Sequence, residues 1–384
     1  MNNIIYSFPY LLFLFYLFVI TLWEFSLKRK GRRDLLGIKI VIWFGFLFFF
    51  GLRGFVNTDC LSYYPFFERL KTVWDNFSYE TIVSEYDWEP GFITLVYFFK
   101  SIIPNYSVWI FVWTLIILIT LNFLFSRYLK YYSFGFLLFF IFDGYGIVTN
   151  LMRGCIAMSL FLYSVQYIER GDSKKYFLIN AIGCLFHISS VLYLLAYFFL
   201  RRKLSNVFLL AVFVILNLLY WLRIDFSDVL VLIFDNISYE RMTLLTEAYV
   251  KNGTSKNLLS IGYVERSFTY IVVMVMYAKL CTGKPGNVIF LNSYVLYYIL
   301  FYFFWKIDVA SQRMAGLFVY SYWIIYAELY ATLKIANNKR LLLVLLIIYS
   351  SLKMISGKSQ PYHQYKNILF HYERFEEAER RIQM

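Results

Sequence analysis

Arg53, Arg153, Arg266, Arg313 and His187 stand at the margins of long apolar runs, accompanied by Asp143, Asn150, Glu265 and Gln312. Ionisable groups in such runs are functional candidates by default, since each costs about 2.5–3.5 kcal/mol at mid-helix on insertion scales. A proton or ion pathway would need them at several depths, whereas these gather at run ends. Blander explanations are equally physical. An arginine at a helix end can snorkel to the headgroups, and a lone histidine in an apolar run can be a satisfied buried ring. Asp87 and Glu89 flank Trp88 and offer two oxygen ligands to a divalent cation. Two carboxylates in an acidic loop are ordinarily just solvated, so no metal is expected.

Soluble-enzyme signatures are missing. The chain has no GxGxxG between strand and helix, no Walker A, no HExxH and no GxSxG, which argues against nucleotide-driven or zinc chemistry. No cofactor is expected. Of the 384 residues, 60% are hydrophobic, 16% charged and 23% aromatic, against about 25% charged in a soluble domain. Soluble globular, disordered and collagen-like classes are excluded, as is a disulfide scaffold with only four Cys. The net charge of +13 does not indicate nucleic acid. Short basic clusters between apolar runs, at 28–33, 127–130, 170–175, 201–203, 279–284 and 334–340, hold 18 of the 37 Lys and Arg. That is the positive-inside pattern.

The elements that must position the polar residues are therefore membrane helices. Apolar runs near the length that crosses about 30 Å of hydrocarbon fall at 4–25, 37–52, 107–126, 132–147, 150–168, 175–200, 204–222, 259–280, 287–305, 314–333 and 341–355. They predict an all-α polytopic membrane protein of about 11–12 transmembrane helices, with one domain over residues 1–360 and an amphipathic charged tail over 361–384. The N-terminal run is too long, and its start too poor in basic residues, for a cleavable signal peptide. With the basic clusters in the cytoplasm, 53–106 and 223–258 become large external segments, and the polar residues named above converge on the outer half of the membrane. The same rule makes 175–200 leave the cytoplasm and return, which predicts two half-length helices meeting near His187-Ile188-Ser189-Ser190.

Short motifs in order along the chain resemble a family. Gly51-Leu52-Arg53-Gly54, Asn57-Thr58-Asp59 and Tyr63-Tyr64 resemble the R-x-G-x-x-x-D-x-x-x-Y signature of EpsG/Wzy-type polysaccharide polymerases. Glu89-Pro90-Gly91-Phe92 is similar to that family's E-P-G-F. Asn150 with Arg153-Gly154-Cys155-Ile156-Ala157 resembles its R-Q-x-I-A, and Leu185-Phe186-His187-Ile188-Ser189-Ser190 its L-F-H-x-S-A. Gln312-Arg313 resembles a late arginine site, and Pro361-Tyr362 a C-terminal P-Y. Gly154 in place of Gln, Ser190 in place of Ala and Gly54 directly after Arg53 depart from the pattern without removing a charge.

The resemblance implies a GT-C-like glycosyltransferase that joins oligosaccharide repeat units carried on undecaprenyl diphosphate. It would work at the outer, periplasmic face of the bacterial inner membrane, without a metal. Arg53, Arg153 and Arg313 then become candidates to hold the diphosphate, since guanidinium forks bind it bidentately and keep their charge. His187, Asp59 or Glu89 would orient or deprotonate the acceptor hydroxyl, supported by Tyr63, Tyr64, Asn150 and Gln312. Implied partners are the lipid-linked oligosaccharide as donor and acceptor, membrane lipids and a chain-length regulator, with no nucleic acid. An O-antigen ligase remains open, as does a lipid-linked oligosaccharide flippase with a cationic cavity through both leaflets. A multipass acyltransferase built on His187 would want its thioester donor on the cytoplasmic side.

Overall fold

The computed structural model describes residues 4–32, 35–75, 88–224, 259–284, 286–306 and 308–383. Asp87 and nearly all of the expected external segment 223–258 lie outside the described residues. Regular structure among the described residues is helical, in 17 α-helices and a few single turns, with one isolated β-bridge between Arg53 and Asn367. The chain is an all-α polytopic membrane protein. It divides into two compact units, Met1–Leu194 with Tyr326–Met384, and Leu195–Ile325.

The first unit opens with α1 (Phe8–Arg29), whose Pro9 sits in the first turn, where its missing N–H costs nothing. Next come α2 (Leu36–Phe46), a π-helical turn over Leu47–Gly51, α3 (Cys60–Arg69), α4 (Pro90–Ile102) and α5 (Tyr106–Tyr128). α6 (Tyr132–Ile141) and α7 (Gly144–Asn150) come from one apolar run bent by 71°. The bend falls at Asp143, which adopts a left-handed φ of 60° and whose carboxylate meets Lys353 Nζ at 2.9 Å. Asp tolerates that conformation better than most residues. α8 (Met152–Arg170) and α9 (Ser173–Cys184) pack side by side, and α8 also packs on α5.

The run 175–200 does break where expected. α9 ends at Cys184, His187 is extended, Ile188–Ser190 forms a single 3₁₀ turn, and α10 (Val191–Leu200) follows. A buried carboxylate fixes the other end of this unit. Glu24, fully buried in α1, accepts the N–H groups of Tyr132 at 2.9 Å and Ser133 at 2.7 Å, at the N-terminus of α6, and pairs with Lys28 at 3.2 Å. Two orphan donors of that helix start are thereby satisfied, and the dipole favours the negative charge.

In the second unit, α11 (Asn206–Trp221), α12 (Ile261–Gly283) and α13 (Asn287–Phe303) pack together, with α14 (Asp308–Gly316) against α13. Buried amides and hydroxyls stitch it: Asn292 Nδ2 donates to the carbonyls of Phe199, Leu200 and Arg202, and Asn217 joins Tyr263 and Tyr298. The run 314–333 differs from a single helix. It divides into α14 and α15 (Tyr320–Thr332) around a turn at Leu317–Val319.

Among the described residues three helices, Ile4–Arg29, Tyr106–Tyr128 and α16 (Ala336–Gly357), have the length and apolarity to cross a membrane, and the bent α6–α7 pair makes a fourth span if counted as one. Five shorter apolar helices accompany them. The runs expected as about 11–12 full crossings thus include several short or broken helices.

Residues after α16 fold back rather than trail away. The backbone of Gly54 donates to Lys366 O at 2.9 Å, Ile368 N to Leu52 O at 2.9 Å, and Asn57 N to Tyr362 O at 2.7 Å. α17 (Phe375–Gln383) buries Ala378 and Ile382, and its Arg381 donates to Phe55 O and Pro361 O while forking onto Glu373 at 2.9 and 2.8 Å. Segments joined by direct backbone hydrogen bonds must lie on one side of any bilayer. In a chain with its native cysteines replaced, Ser62→Cys and Gln383→Cys are therefore expected to react alike with a membrane-impermeant maleimide on intact cells. Labelling of one with full protection of the other would break that arrangement.

Candidate active site

Three segments distant in sequence meet in the first unit. Glu89 precedes α4, Arg153 lies in the first turn of α8, and His187 sits in the break between α9 and α10. Glu89 Oε2 accepts from Arg153 Nη1 at 2.6 Å, and Glu89 Oε1 accepts from the Ile188 N–H at 3.2 Å and lies 3.9 Å from His187 Nδ1. One carboxylate therefore ties a helix start to a helix break. Arg153 Nε donates to Tyr63 Oη at 3.2 Å, and its guanidinium lies 4.8 Å from the Trp88 ring centre. Cation–π contact and charge-assisted hydrogen bonding both hold the fork flat.

Backbone packing explains two glycines of the motifs. Gly91 N–H donates to Leu185 O at 2.9 Å, and a Cβ at Gly91 would lie 2.7 Å from that oxygen, so only glycine allows α4 this close to the break. At Gly154 a Cβ would stand 3.2 Å from His187 Cδ2. The departure from Gln at this position thus lets the imidazole rest against α8. The His187 ring is oriented by Ser189, whose backbone N–H donates to Nδ1 at 3.2 Å and whose Oγ lies 2.9 Å from the same atom. With Nδ1 accepting, the neutral ring carries its proton on Nε2.

Glu89, Arg153 and His187 are all partly buried, with side chains 15–24% exposed. Asp59, at the start of α3, is half-buried; its backbone N–H approaches Asn150 Oδ1 at 3.5 Å and its carbonyl accepts from Tyr63 N–H at 3.0 Å. Tyr63 thus follows Asp59 by one helical turn and meets Arg153 through its hydroxyl. Burial holds its hydroxyl above the usual phenol range, with Arg153 opposing, so it is a neutral partner. Burial likewise pushes the Cys60 thiol up to about 12, which leaves it no role as a thiolate. Tyr64 stacks on Phe375 of α17 at 4.5 Å.

Arg53 differs from the expected open fork. It is 6% exposed, and its guanidinium is directed into the protein, with Nη1 donating to Phe50 O at 2.6 Å and Thr114 Oγ1 at 3.1 Å and Nη2 to Val148 O at 2.9 Å. Those acceptors come from the π-turn, α5 and α7. A phosphate would have to displace them, so the observed Arg53 is a framework residue that also walls a cavity beside Tyr63. Gln312 and Arg313 lie on α14 in the second unit, both exposed. In that same unit the Arg266 guanidinium lies 3.6 Å from the Phe301 ring centre.

Sequence reasoning assigned no site role to Trp88, Ser189 or Thr114. Trp88 was within reach, since it adjoins the E-P-G-F motif, whereas Thr114 sits in an unbroken apolar run that gives no signal.

The family comparison is decisive once this geometry is in view. The EpsG family model matches residues 36–367, which take in every one of the converging motifs. The chain belongs to the EpsG family. No curated protein and no solved structure matches it. Membership of the EpsG family supports a polysaccharide-polymerase type of function in a multi-pass membrane protein.

Removing either Glu89 or Arg153 strands the other beside the His187 break. Glu89→Ala and Arg153→Ala are expected to be non-additive in detergent unfolding by about 1.5–3 kcal/mol, the range for a hydrogen bond to a charged group; additive losses would deny the coupling. Arg53→Lys, whose single nitrogen lacks the planar spread that reaches acceptors on three elements, should cost about 1–3 kcal/mol of stability, read as a lowered midpoint in the same unfolding experiment.

Proposed function

We propose that this EpsG-family chain polymerises oligosaccharide repeat units carried on undecaprenyl diphosphate, at the outer face of the cytoplasmic membrane. The observation that carries the reading is the convergence of Glu89, Arg153 and His187, from three motifs spread over about a hundred residues, in a chain of that family. A lipid-linked donor is already activated, so the reaction needs no nucleotide. An acceptor hydroxyl oxygen attacks the anomeric carbon of the donor, the anomeric carbon–oxygen bond to phosphate breaks, and undecaprenyl diphosphate leaves.

The residues divide between the two ends of that step. Arg153, held by Glu89, Tyr63 and Trp88, offers charge-assisted hydrogen bonds to the departing diphosphate. His187, with Nδ1 occupied by Ser189, presents a proton at Nε2 and stabilises a phosphate oxygen as hydrogen-bond donor. Glu89 has both oxygens engaged and positions Arg153 rather than accepting a proton. Asp59 takes the proton of the acceptor hydroxyl. Arg53 braces the same unit by tying together Phe50, Thr114 and Val148. The reaction is metal-independent, and the substrate oligosaccharide, membrane lipids and a chain-length regulator are its partners.

A strain lacking the protein should accumulate single repeat units on the lipid carrier, and purified protein given lipid-linked units should make a glycan ladder that survives EDTA. His187→Ala should lower turnover by about 10²–10³-fold. His187→Gln, which keeps a side-chain N–H, should recover roughly tenfold of that loss. Equal loss in both variants would make His187 the base, and a ladder abolished by EDTA and restored by Mg²⁺ would overturn metal independence.

A further inference from the structure

We propose that Arg266 in the second unit is the seat of a phosphate-binding site, sharing no residue with the Glu89–Arg153–His187 cluster and independent of the repeat-unit reading. Arg266 is the sixth residue of α12, about 8 Å along the axis from the helix start. One face of that helix is exposed and apolar, at Val264, Phe268 and Val275. Arg266 lies on the other, at helical spacing from the buried Tyr270, Val273 and Tyr277. A snorkelling arginine reaches for headgroups from the lipid face, whereas this one is turned towards protein. Ionisable groups on the interior face of a membrane helix are functional candidates by default.

The seat is built by α12 and α13 within one unit. The guanidinium lies 3.6 Å from the centre of the Phe301 ring, and the Tyr294 hydroxyl donates to the Arg266 carbonyl at 2.8 Å, tying that turn of α12 to α13. A Cβ at Gly262, one turn back on α12, would stand 2.8 Å from Nη2 and 3.2 Å from Nη1, so the missing side chain is what makes room for the guanidinium. Stacking on a ring uses the guanidinium face and leaves its edge of N–H donors unspent. Among the described residues Arg266 makes no hydrogen bond and no ion pair; Glu265, next to it on the helix, acts on it through space without pairing. Nε is sealed from solvent, whereas Nη1 and Nη2 are not. The end-on fork of the guanidinium is therefore the part that a ligand can reach.

Charge and depth together select the ligand. A charged group held among protein without acceptors is costly. A neutral ligand would satisfy its N–H groups and leave the charge unanswered, whereas an oxyanion answers both through two parallel hydrogen bonds. Aromatic side chains of the interfacial kind gather at the same helix ends. Tyr263 stacks on Tyr220 at 5.1 Å, accepts from Trp221 Nε1 at 2.8 Å and lies 6.2 Å from Tyr302, the neighbour of Phe301. Trp305 meets Tyr220 at 5.2 Å. Such rings sit at the headgroup level of a bilayer, and the oxyanion that amphiphiles carry at that level is phosphate.

The test is isothermal titration of the full chain in detergent with farnesyl diphosphate, pyrophosphate, farnesol and oleate. It is read in the unmodified chain and in an Arg153→Ala background, which silences the diphosphate contact proposed for the first unit. Saturable binding of farnesyl diphosphate is expected in both, weakened about 10–100-fold by Arg266→Ala, the loss of charge-assisted hydrogen bonds. Arg266→Lys should recover part of that loss, since an ammonium keeps the charge without the fork. Gly262→Ala guards against a folding defect. Alanine suits a helix better than glycine, yet its methyl group must push the guanidinium aside, so binding should fall while the melting temperature holds. Farnesyl diphosphate binding more tightly than pyrophosphate supports the site with a lipid as its ligand, and equal affinity supports it with a water-borne phosphate. Unchanged binding in both Arg266→Ala and Gly262→Ala would overturn the proposal, as would farnesol or oleate binding as tightly as farnesyl diphosphate. No turnover is read, so the glycan ladder that judges the polymerase reading does not bear on this outcome.

Discussion

A guanidinium taken out of water must find acceptors for its N–H groups, because a buried unpaired charge is among the costliest defects a fold can carry. Arg53 meets that constraint with the carbonyls of Phe50 and Val148 and the hydroxyl of Thr114. Each acceptor is available for a separate structural reason. The π-helical turn over Leu47–Gly51 is where the Phe50 carbonyl becomes available, the 71° bend at Asp143 carries α7 and the Val148 carbonyl into place, and α5 supplies a threonine whose hydroxyl also bonds its own helix. Local irregularities in two elements thus answer to one charge. Functional regions often gather such distortions, and π-turns are a frequent form of them.

Beside that fixed charge sits a softer arrangement. Arg153 touches a carboxylate, a phenol and an indole but remains partly exposed, so its charge is organised and still reachable. The contrast between the two arginines separates roles that a motif cannot. Both fall in signature positions, yet one is consumed by backbone carbonyls and the other is held by side chains at a helix start. The diphosphate contact proposed for Arg153 asks for the second kind, in which orientation is set in advance and donors remain to be used.

Much of this was legible in the residues. Run lengths placed α1, α5 and α16 closely, and the polar His187-Ile188-Ser189-Ser190 inside an apolar run marked a break that is there. The gathering of Glu89, Arg153 and His187 was legible only through motif order, since no periodicity links positions so far apart. What stayed hidden has physical causes. Whether an arginine faces a cavity or a carbonyl depends on tertiary bends such as that at Asp143, which one residue's identity does not announce. The destination of residues 361–383 was hidden as well. Their composition reads as an amphipathic charged tail, and the sequence does not say where it packs; in the fold Arg381 and Glu373 pair with each other.

That returning segment bears on biogenesis. Residues 361–383 follow α16 in the chain, so they leave the ribosome after the last long apolar helix and must travel to the side that holds Leu52–Asn57 before Gly54 and Asn57 find their backbone partners. A nascent chain that has inserted through α16 has Glu89, Arg153 and His187 already synthesised, yet lacks Ile368 and Tyr372 from its cavity wall. The site would then gain its shape only after synthesis had passed Glu89, Arg153 and His187.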